Sequence, residues 1–336
     1  MPLYIGLKDH WFGAAGEWNL SRCPKKHCGL IWLDPMPLEE EIGKAYTRYH
    51  THNQPRQART LFRRLYDVAR NGYLQTRFGY TRGVGSRWHR YLRAFAYLNP
   101  GGASALDASC MFLPAPGPDA VLLDVGCGAG ELLVRMGAMG WRVYGIDFDP
   151  KAVDAARSKG IPVGLGTLQD QRFPDRYFDA IYMGHVIEHV HDPVTLLREC
   201  HRILKVKGTI VILTPNAESW GHQLYKEAWR GLEPPRHLHL FCPTSLSRLV
   251  EKAEFSVQRQ MTVATGPGIL AMSDALRLAR DSDWKPSFGP SFFSKLRGHI
   301  YQMWERILLA SGKPHAGEEI VITATMSPGS AISERY

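Results

Sequence analysis

The amino-acid sequence predicts an α/β fold in which a parallel sheet begins near Ala120. From there, short apolar segments alternate with segments of helical periodicity, which is typical of a parallel sheet covered by helices. The first apolar segment, Val121–Val125, runs directly into closely spaced glycines, as a strand does where it turns into a helix. Of 336 residues, 44% are hydrophobic and 22% are charged, so the composition indicates a folded core domain with appendages.

The predicted strands and helices alternate along the chain, and the spacing of their apolar residues distinguishes them. Strands are expected over Val121–Val125, Arg142–Asp147, Ile161–Gly164, Phe178–Met183, Thr209–Thr214, Ser256–Val263 and Glu319–Met326. Helices are expected over Glu131–Met139, Pro150–Lys159, Pro193–Leu204 and Thr244–Ala253.

Further regions flank or interrupt the sheet. Residues 1–38 are predicted to be loop-like, residues 39–119 to form Arg-rich and aromatic helices followed by a linker, and residues 120–328 to form the core domain. Residues 266–314 are expected to insert two amphipathic helices before the last strand. A lid over a binding pocket, or a surface that touches a membrane, would explain these helices. Packing against the sheet or against a second subunit, as in a homodimer, is the simpler expectation.

Positive charge is concentrated in one part of the chain. The whole sequence has 41 Lys and Arg against 32 Asp and Glu, a formal net charge of +9. Residues 41–98 hold twelve basic and two acidic side chains, so the rest of the chain is about neutral. A local basic field attracts anions such as nucleic acid, phosphorylated or acidic substrates, or an anionic membrane surface.

No feature of the sequence predicts a membrane span or a secretion signal. There is no run of about 18 or more uncharged apolar residues. The first residues lack a basic region followed by an apolar stretch. The six cysteines are scattered at irregular spacing. We therefore expect reduced thiols in a cytoplasmic protein.

The strongest motif follows the first predicted strand, where Gly126, Gly128 and Gly130 occupy alternate positions. Glycines let the backbone turn tightly and approach a bulky ligand, and the helix that follows presents free N–H groups. Asp124 lies at the end of this strand, and Asp147 ends the next one, where a carboxylate can accept the hydroxyls of a ribose. The third glycine comes one residue too early for the G-x-G-x-x-G fingerprint, so a dinucleotide such as NAD is a poor second choice.

This loop and its two acids resemble the first motif of the class I S-adenosylmethionine-dependent methyltransferases. The segments Phe173–Pro193, Leu204–Gly208 and Trp229–Phe241 are similar to the ubiquinone-biosynthesis-like and sugar C-methyltransferase-like branch of that family. Lys205–Gly208 departs from the usual Lys-Pro-Gly-Gly of the branch, which is expected to change only a turn. The resemblance implies a Rossmann-like seven-stranded methyltransferase sheet whose last strand is antiparallel. It also implies methyltransferase activity with S-adenosyl-L-methionine as the cofactor.

The resemblance assigns roles to individual residues. The three glycines would contact the methionine part of the cofactor, with Asp124 near its amino group. Asp147 would hold the ribose, and Phe148 would lie beside the adenine. Thr167 and Leu168 would face the adenine edge, but many relatives carry an acid where this chain has Thr167.

Five histidines in two short clusters supply the candidate catalytic groups. Methyl transfer requires alignment of the reacting atoms and deprotonation of an acceptor that is not already nucleophilic, and histidine suits the second task. His185 follows the fourth predicted strand, at the strand end where ligands bind, and is the preferred base. Glu188, His189 and His237 are the other candidates. Two alternatives stay open: these side chains brace the structure, or Glu188 holds a divalent cation with His189 or His191.

The N-terminal segment around Cys23 and Cys28 resembles the small zinc-binding module of the same branch. A structural zinc site takes four ligands, usually as two short-spaced pairs. One such pair is visible, and His10 or His27 could complete it only in an unusual arrangement. Either the natural chain starts earlier or the module is degenerate, and we expect a zinc-ribbon-like module without metal.

Tyrosines shortly after this module form a further candidate. Tyr46 and Tyr49, with His50 and His52, resemble the tyrosines with which related enzymes close the pocket. The alternative is an amphipathic helix that packs its aromatic face internally.

The predicted function is transfer of a methyl group from S-adenosyl-L-methionine to an oxygen or carbon nucleophile of a small-molecule, saccharide or lipid-linked acceptor. An RNA methyltransferase is the alternative that the basic region suggests, although no recognised RNA-binding module accompanies it. A non-catalytic scaffold that only binds the cofactor is the alternative from another class.

Overall fold

The computed structural model describes residues 1–46, 61–81, 102–264, 266–280 and 289–327. The chain divides into two compact units. Unit 1 comprises Met1–Tyr49, His185–Leu197 and Ile212–Ile322. Unit 2 comprises His50–Gly184, Arg198–Val211 and Thr323–Tyr336. Much of the basic segment at residues 41–98 lies outside the described residues, so the prediction of helices there is only partly covered.

Strands and helices alternate through most of the described chain. The strands are β1 (Pro2–Leu7), β2 (Trp18–Arg22), β3 (Ile31–Leu33), β4 (Val121–Val125), β5 (Arg142–Asp147), β6 (Val163–Leu165), β7 (Phe178–Gly184), β8 (Leu204–Pro215), β9 (His239–Leu240), β10 (Phe255–Val263) and β11 (Glu319–Met326). The helices are α1 (Leu61–Phe78), α2 (Gly102–Ser109), α3 (Glu131–Ala138), α4 (Pro150–Arg157), α5 (Pro193–Ile203), α6 (Trp220–Tyr225), α7 (Pro243–Lys252), α8 (Gly268–Arg280) and α9 (Phe292–Ala310).

The large sheet has seven strands in the order β10-β11-β8-β7-β4-β5-β6. The interior strand β4 pairs in parallel with β5 and β7, and β5 pairs in parallel with β6. All residues of β4 are buried, as expected for a parallel strand covered on both faces. The last strand of the chain, β11, is inserted between β10 and β8. The α/β fold class and the seven-stranded sheet predicted from the sequence are confirmed.

Most predicted bounds agree closely with the structure. The strands β4, β5 and β11 have the predicted bounds. The strand β8 begins at Leu204 instead of Thr209, so Lys205–Gly208 is strand where a turn was expected. Val206 stands where the related branch has a proline, and a β-branched residue with a free N–H continues a strand that proline would interrupt.

The prediction that residues 1–38 are loop-like is wrong for much of this segment. The strands β1, β2, β3 and β9 form a second sheet, in that order, with antiparallel pairing. Leu20, Ile31 and Leu33 have no exposed surface and anchor this sheet in the core of unit 1. The strand β3 has three residues and its partner β9 has two. Strands this short show no clear alternation of apolar and polar residues, so the sequence pattern does not reveal them.

The insertion at residues 266–314 contains two helices, as expected. The helices α8 and α9 approach closely at Gly298, where a Cβ would lie 2.8 Å from Ala271 Cβ. Asp274 is fully buried on α8 and accepts from Arg297 of α9 at 2.7 Å. Among the described residues, no helix is long and apolar enough to cross a membrane.

A buried charge network joins the N-terminal segment to the rest of unit 1. Arg236 is fully buried, and its Nη1 donates to Asp9 Oδ2 at 2.9 Å and to Ala45 O at 3.0 Å. Its Nε donates to Glu233 Oε1 at 2.9 Å. The guanidinium carbon lies 4.5 Å from the centroid of the Phe12 ring. Charges buried this deeply are tolerated only when they are paired, so the loss of one partner leaves the others uncompensated.

Arg236→Met is expected to lower the free energy of unfolding by about 3–5 kcal/mol, because it leaves the Asp9 carboxylate buried without its cation and removes one of the two arginines that pair with Glu233. Urea-induced unfolding followed by tryptophan fluorescence measures the change. Lys44→Met is the control, because Lys44 and Glu41 form an exposed pair at 2.7 Å whose loss should leave the midpoint unchanged. An Arg236→Met midpoint equal to that of the wild type would contradict a structural role for the network.

Candidate functional site

Unit 2 carries the glycine loop between β4 and α3. Gly126, Gly128 and Gly130 have left-handed backbone conformations, with φ of +74°, +53° and +76°. At Gly130 a Cβ would lie 3.0 Å from Ala156 Cβ, so both conformation and packing favour glycine. A Cβ at Gly128 would meet no atom of the described residues within 4 Å. The space beside Gly128 is therefore open to a ligand.

Asp147 ties the end of β5 to this loop. Its Oδ2 accepts from Gly128 N–H at 2.8 Å, and its Oδ1 accepts from Asp149 N–H at 2.9 Å. The side chain is buried. These two hydrogen bonds hold the glycine loop against the end of β5.

Asp124, the predicted partner of a ligand amino group, is buried near the end of β4. Within the described part of the chain, no donor forms a hydrogen bond with its carboxyl. Burial raises the pKa of Asp124 well above its ordinary value, and the negative charge of Asp147 raises it further. A cationic ligand group beside Asp124 would stabilise the ionised carboxylate and lower this pKa.

The remaining predicted cofactor residues differ in exposure. Phe148, directly after β5, is 60% exposed. The N–H and the hydroxyl of Thr167 donate to Asp170 Oδ2 at 2.8 and 2.6 Å. Leu168 is buried. Thr167 is thus bound within its own turn, and the exposed acid at this place is Asp170, which the sequence analysis did not select.

Unit 1 carries the four predicted catalytic residues. His185 has a φ of +56°, uncommon for a residue with a side chain, and its N–H donates to Leu213 O at 2.8 Å. Its Nδ1 lies 3.3 Å from Glu188 Oε1, and its Nε2 lies 3.0 Å from Glu319 Oε1. Burial lowers the pKa of His185, but the two carboxylates outweigh burial and raise the pKa well above its ordinary value. The ring is therefore held as a cation, although solvent screens part of the attraction because the side chain is 43% exposed.

Glu188 is the buried centre of this group, with no exposed surface. Thr214 Oγ1 donates to its Oε2 at 2.9 Å, and Leu238 N–H donates to its backbone carbonyl at 2.8 Å. Burial raises the pKa of Glu188, but His185 and the neighbouring histidines outweigh burial and lower the pKa to about 2. A buried carboxylate that stays ionised, with a strongly shifted pKa, is typical of a functional site.

His189 and His237 lie edge to face, with ring centroids 4.7 Å apart. Nδ1 of His189 is 2.9 Å from Arg236 O, and Nδ1 of His237 is 2.7 Å from Gly231 O. Since a carbonyl only accepts, each Nδ1 carries the hydrogen and each Nε2 keeps its lone pair when the ring is neutral. Burial, together with the charge of His189, lowers the pKa of His237 to about 4, so the His237 ring is neutral at pH 7.

One of the tyrosines predicted to close a pocket contacts this group. The Tyr46 hydroxyl lies 3.0 Å from His189 Nδ1, and the two rings meet edge to face. Tyr46 therefore helps to fix the orientation of His189. Tyr49, His50 and His52 lie outside the described residues.

Glu188, His189 and His237 could hold a metal ion. One ligand atom from each lies within 4.8 Å of the other two. An ionised carboxylate and imidazole Nε2 lone pairs suit a divalent cation, and Nδ1–H bonds to backbone carbonyls orient such imidazoles. The sequence left open a cation site at Glu188 with His189 or His191. The Nε2 of His191 instead lies 2.9 Å from Pro37 O, and His237 joins the pair.

Two residues of this group were not expected from the sequence. Glu319 begins β11 and is buried, and Thr214 lies near the end of β8 with no exposed surface. Each is a buried polar residue next to an apolar run, Ile210–Leu213 or Ile320–Ile322, which is the signal that could have identified them. Thr214 and Glu319 are distant in sequence from Glu188 and His185, which they contact, so the sequence pattern does not reveal these contacts.

The cysteines of the expected zinc-like module lie in the segment between β2 and β3. Cys23 N–H donates to Leu30 O at 2.9 Å, and Cys242 Sγ lies 3.4 Å from Cys28 O. All six cysteines are free thiols. Among the described residues, no cluster of metal-binding side chains includes a cysteine.

Comparison with known proteins identifies the family. A family model described as a methyltransferase domain matches residues 92–260, half of the chain. The chain belongs to this methyltransferase-domain family. The predicted resemblance to the class I S-adenosylmethionine-dependent methyltransferases is confirmed, and S-adenosyl-L-methionine is the cofactor that goes with it.

The relatives of this methyltransferase-domain protein include two named enzymes. A ubiquinone biosynthesis O-methyltransferase of Cereibacter sphaeroides is 31% identical over 152 residues, 42% of this chain and 62% of that protein. A probable S-adenosylmethionine-dependent methyltransferase of Mycolicibacterium smegmatis is 28% identical over 153 residues, 44% of this chain and 56% of that protein. The chain thus spans less than two thirds of the length of these curated relatives.

A solved structure shares the fold of this methyltransferase-domain protein. It is a geranyl diphosphate C-methyltransferase from Streptomyces coelicolor A3(2), in complex with Mg²⁺, geranyl diphosphate and S-adenosyl-L-homocysteine. The TM-score is 0.50 at 15% sequence identity, over 87% of this chain and 98% of that chain. At this identity the likeness concerns the fold alone.

In this methyltransferase-domain protein, the His185 ring is expected to stay protonated well above pH 6.5 and the His237 ring to stay neutral down to about pH 4. Ring ¹⁵N chemical shifts in a pH titration report both. Because the folded-state pKa of His185 is raised, its contribution to stability is present at low pH and is lost as the pH rises through that pKa.

Glu319→Gln is the matched variant for this titration. It removes one carboxylate from His185 and should lower the pKa of His185 while leaving that of His237 unchanged. A wild-type His185 ring that titrates at or below pH 6.5 would contradict the ion-pair geometry.

Proposed function

We propose that this protein transfers the methyl group of S-adenosyl-L-methionine to an oxygen or carbon nucleophile of a small-molecule, saccharide or lipid-linked acceptor. The observation that carries the proposal is the loop of unit 2, where open space beside Gly128 is accompanied by the buried carboxyls of Asp124 and Asp147. A ligand that joins an amino acid to a nucleoside requires these features. They are a hydrogen-bond acceptor for the amino group, an acceptor for the ribose hydroxyls, and space for the part of the ligand that links the two.

Each cofactor residue has a distinct role in this proposal. The carboxyl of Asp124 would accept from the amino group of the cofactor. Asp147, which holds the loop through two backbone N–H groups, would accept the ribose hydroxyls. The exposed ring of Phe148 would lie beside the adenine, and Thr167 and Leu168 would face the adenine edge.

An oxygen acceptor is favoured by relatives that are named ubiquinone biosynthesis O-methyltransferases. A phenolic hydroxyl, with a pKa of about 10, is protonated at neutral pH and must lose its proton before or during attack on the methyl group. Such an acceptor needs either a base or a cation that lowers its pKa. The residues of unit 1 offer both kinds of group.

His189 and His237 are the candidate bases, since Nδ1 of each faces a backbone carbonyl and Nε2 is then the lone-pair atom of the neutral ring. Either ring, when neutral, would take the proton that the acceptor hydroxyl loses. His185, which the sequence preferred as the base, would first have to pass its proton to Glu188 or Glu319. In the resting state we assign His185 the role of balancing the charge of Glu188 and orienting its carboxylate.

A divalent cation is the alternative use of the same side chains. Glu188, His189 and His237 would hold it, and when bound it would polarise the acceptor hydroxyl and lower its pKa. The Nε2 lone pair of each histidine can bind a cation or accept a proton, but not both at once. The two roles of this cluster are therefore mutually exclusive for a given ring.

Gly128→Ala is expected to weaken binding of S-adenosyl-L-homocysteine at least about tenfold, or about 1.4 kcal/mol, because the new Cβ would occupy space that the ligand requires. Isothermal titration calorimetry measures the affinity. Gly160→Ala is the matched control. Gly160 lies in the turn after α4 and also has a positive φ, +79°, and a Cβ there would meet no atom of the described chain within 4 Å, so the substitution brings the same backbone strain.

Gly160→Ala should bind the ligand as the wild type does, although both variants lose about 1 kcal/mol of stability. Equal affinities of the two variants would count against the loop as the binding site. A folded wild-type protein that takes up no S-adenosyl-L-homocysteine would remove the proposed function altogether.

A further inference from the structure

The helix α9 has the reverse polarity of an ordinary surface helix, with polar residues on its buried side and apolar residues on its exposed side. Its buried side is lined by small or polar residues, namely Ser294, Gly298, Gln302 and Glu305. Its exposed side is lined by large apolar residues, each at least 49% exposed, namely Phe292, Phe293, Leu296, Ile300, Met303, Trp304 and Ile307. Exposed apolar side chains normally occur singly on soluble proteins. A run of this kind on one helix indicates a surface that meets an apolar environment.

The apolar side chains of α9 form one continuous face. At about 100° per residue, their positions fall within an arc of about 120°, and the buried residues occupy the opposite side. From Phe292 to Ile307 this face is about 22 Å long. Close packing at Gly298 fixes the buried side against α8, so the helix cannot turn its apolar face inward without losing that contact.

The charged side chains beside this face are basic. Lys295 and His299 are exposed and Arg306 is half-buried, and the three lie on one flank of the apolar arc. The one acidic residue in the sequence of α9, Glu305, has no exposed surface. An apolar face with Phe and Trp, bordered by Lys and Arg and by no exposed acid, is typical of a helix that lies in the interface of a membrane with anionic lipids.

We propose that α9 docks on an anionic lipid surface, with the face Phe292–Ile307 in the headgroup region and Lys295 and Arg306 near the lipid phosphates. Charge complementarity favours lipid over a second copy of the chain, because the same helix of a second copy offers no exposed acid to these cations. The proposal stands on α9 alone and does not depend on methyl transfer.

Vesicle flotation with the full chain tests this docking. The wild type should bind vesicles of phosphatidylcholine and phosphatidylglycerol at least about tenfold more tightly than vesicles of phosphatidylcholine alone, and added salt should weaken the binding. The triple variant Leu296→Ser, Ile300→Ser and Trp304→Ser should lose at least about tenfold in binding to the mixed vesicles.

Two control variants separate apolar contact from charge. Ile5→Ser with Val206→Ser removes exposed apolar side chains outside α9, 74% and 42% exposed, and should bind as the wild type does. Lys295→Gln with Arg306→Gln removes the two cations proposed to meet the phosphates and should weaken binding to the mixed vesicles while leaving binding to phosphatidylcholine unchanged.

Several outcomes would overturn the proposal. These are a wild type that binds neither kind of vesicle, equal binding to both kinds, or a triple variant that binds like the wild type. A wild-type dimer in light scattering that becomes a monomer in the triple variant, without vesicle binding, would assign the face to a second copy. If the triple variant does not fold, hydrogen exchange of the wild type decides. Protection of Phe292–Ala310 by mixed vesicles supports docking, and unchanged exchange there overturns it.

Discussion

A hydrogen bond from Gly128 N–H to Asp147 Oδ2 at 2.8 Å sets the geometry of the glycine loop, on which the proposed cofactor site depends. It joins the turn after β4 to the end of β5, two strands that already pair in parallel. Gly126 N–H donates to Ile146 O at 2.8 Å, which fixes the start of the same turn. The left-handed glycines make these bonds geometrically accessible. One carboxylate therefore shapes the loop at the point where we propose that a ribose binds.

Buried charged side chains also organise unit 1. The neighbouring residues Glu318 and Glu319 illustrate this, because they have different partners. Glu318 lies directly before β11 and Glu319 is its first residue, and the two side chains meet different surroundings. Glu319 pairs with the His185 ring. Glu318 accepts from Trp229 Nε1 at 2.6 Å, and burial raises its pKa to about 7. Glu319 is thus a counter-ion of the candidate catalytic cluster, whereas the adjacent Glu318 supports the core.

The sequence predicts the parts of this protein that rest on local pattern. The glycine loop, Asp124 and Asp147 stand within one strand–turn–helix–strand segment, so they form a local pattern on which a family resemblance can be recognised. The antiparallel sheet of β1, β2, β3 and β9 escapes prediction because its last pairing joins Ile31 to Leu240 across most of the chain. The cluster around Glu188 is incompletely predicted for the same reason. The sequence selects His185, Glu188, His189 and His237, but not Thr214 and Glu319, which reach the cluster from distant strands.

The carboxyls of Asp124 and Asp147 are proposed to bind the amino group and the ribose of S-adenosyl-L-methionine. The most direct test of this central claim is calorimetry of S-adenosyl-L-homocysteine binding as a function of pH. Burial raises the pKa of Asp124 in the free protein, and the ligand ammonium should lower it. Binding should therefore release a proton, and affinity should rise as the pH increases through the Asp124 pKa. Asp124→Asn should bind more weakly and without this pH dependence. Wild-type affinity that is independent of pH, with no proton released, would contradict the assignment of Asp124 to the ligand amine.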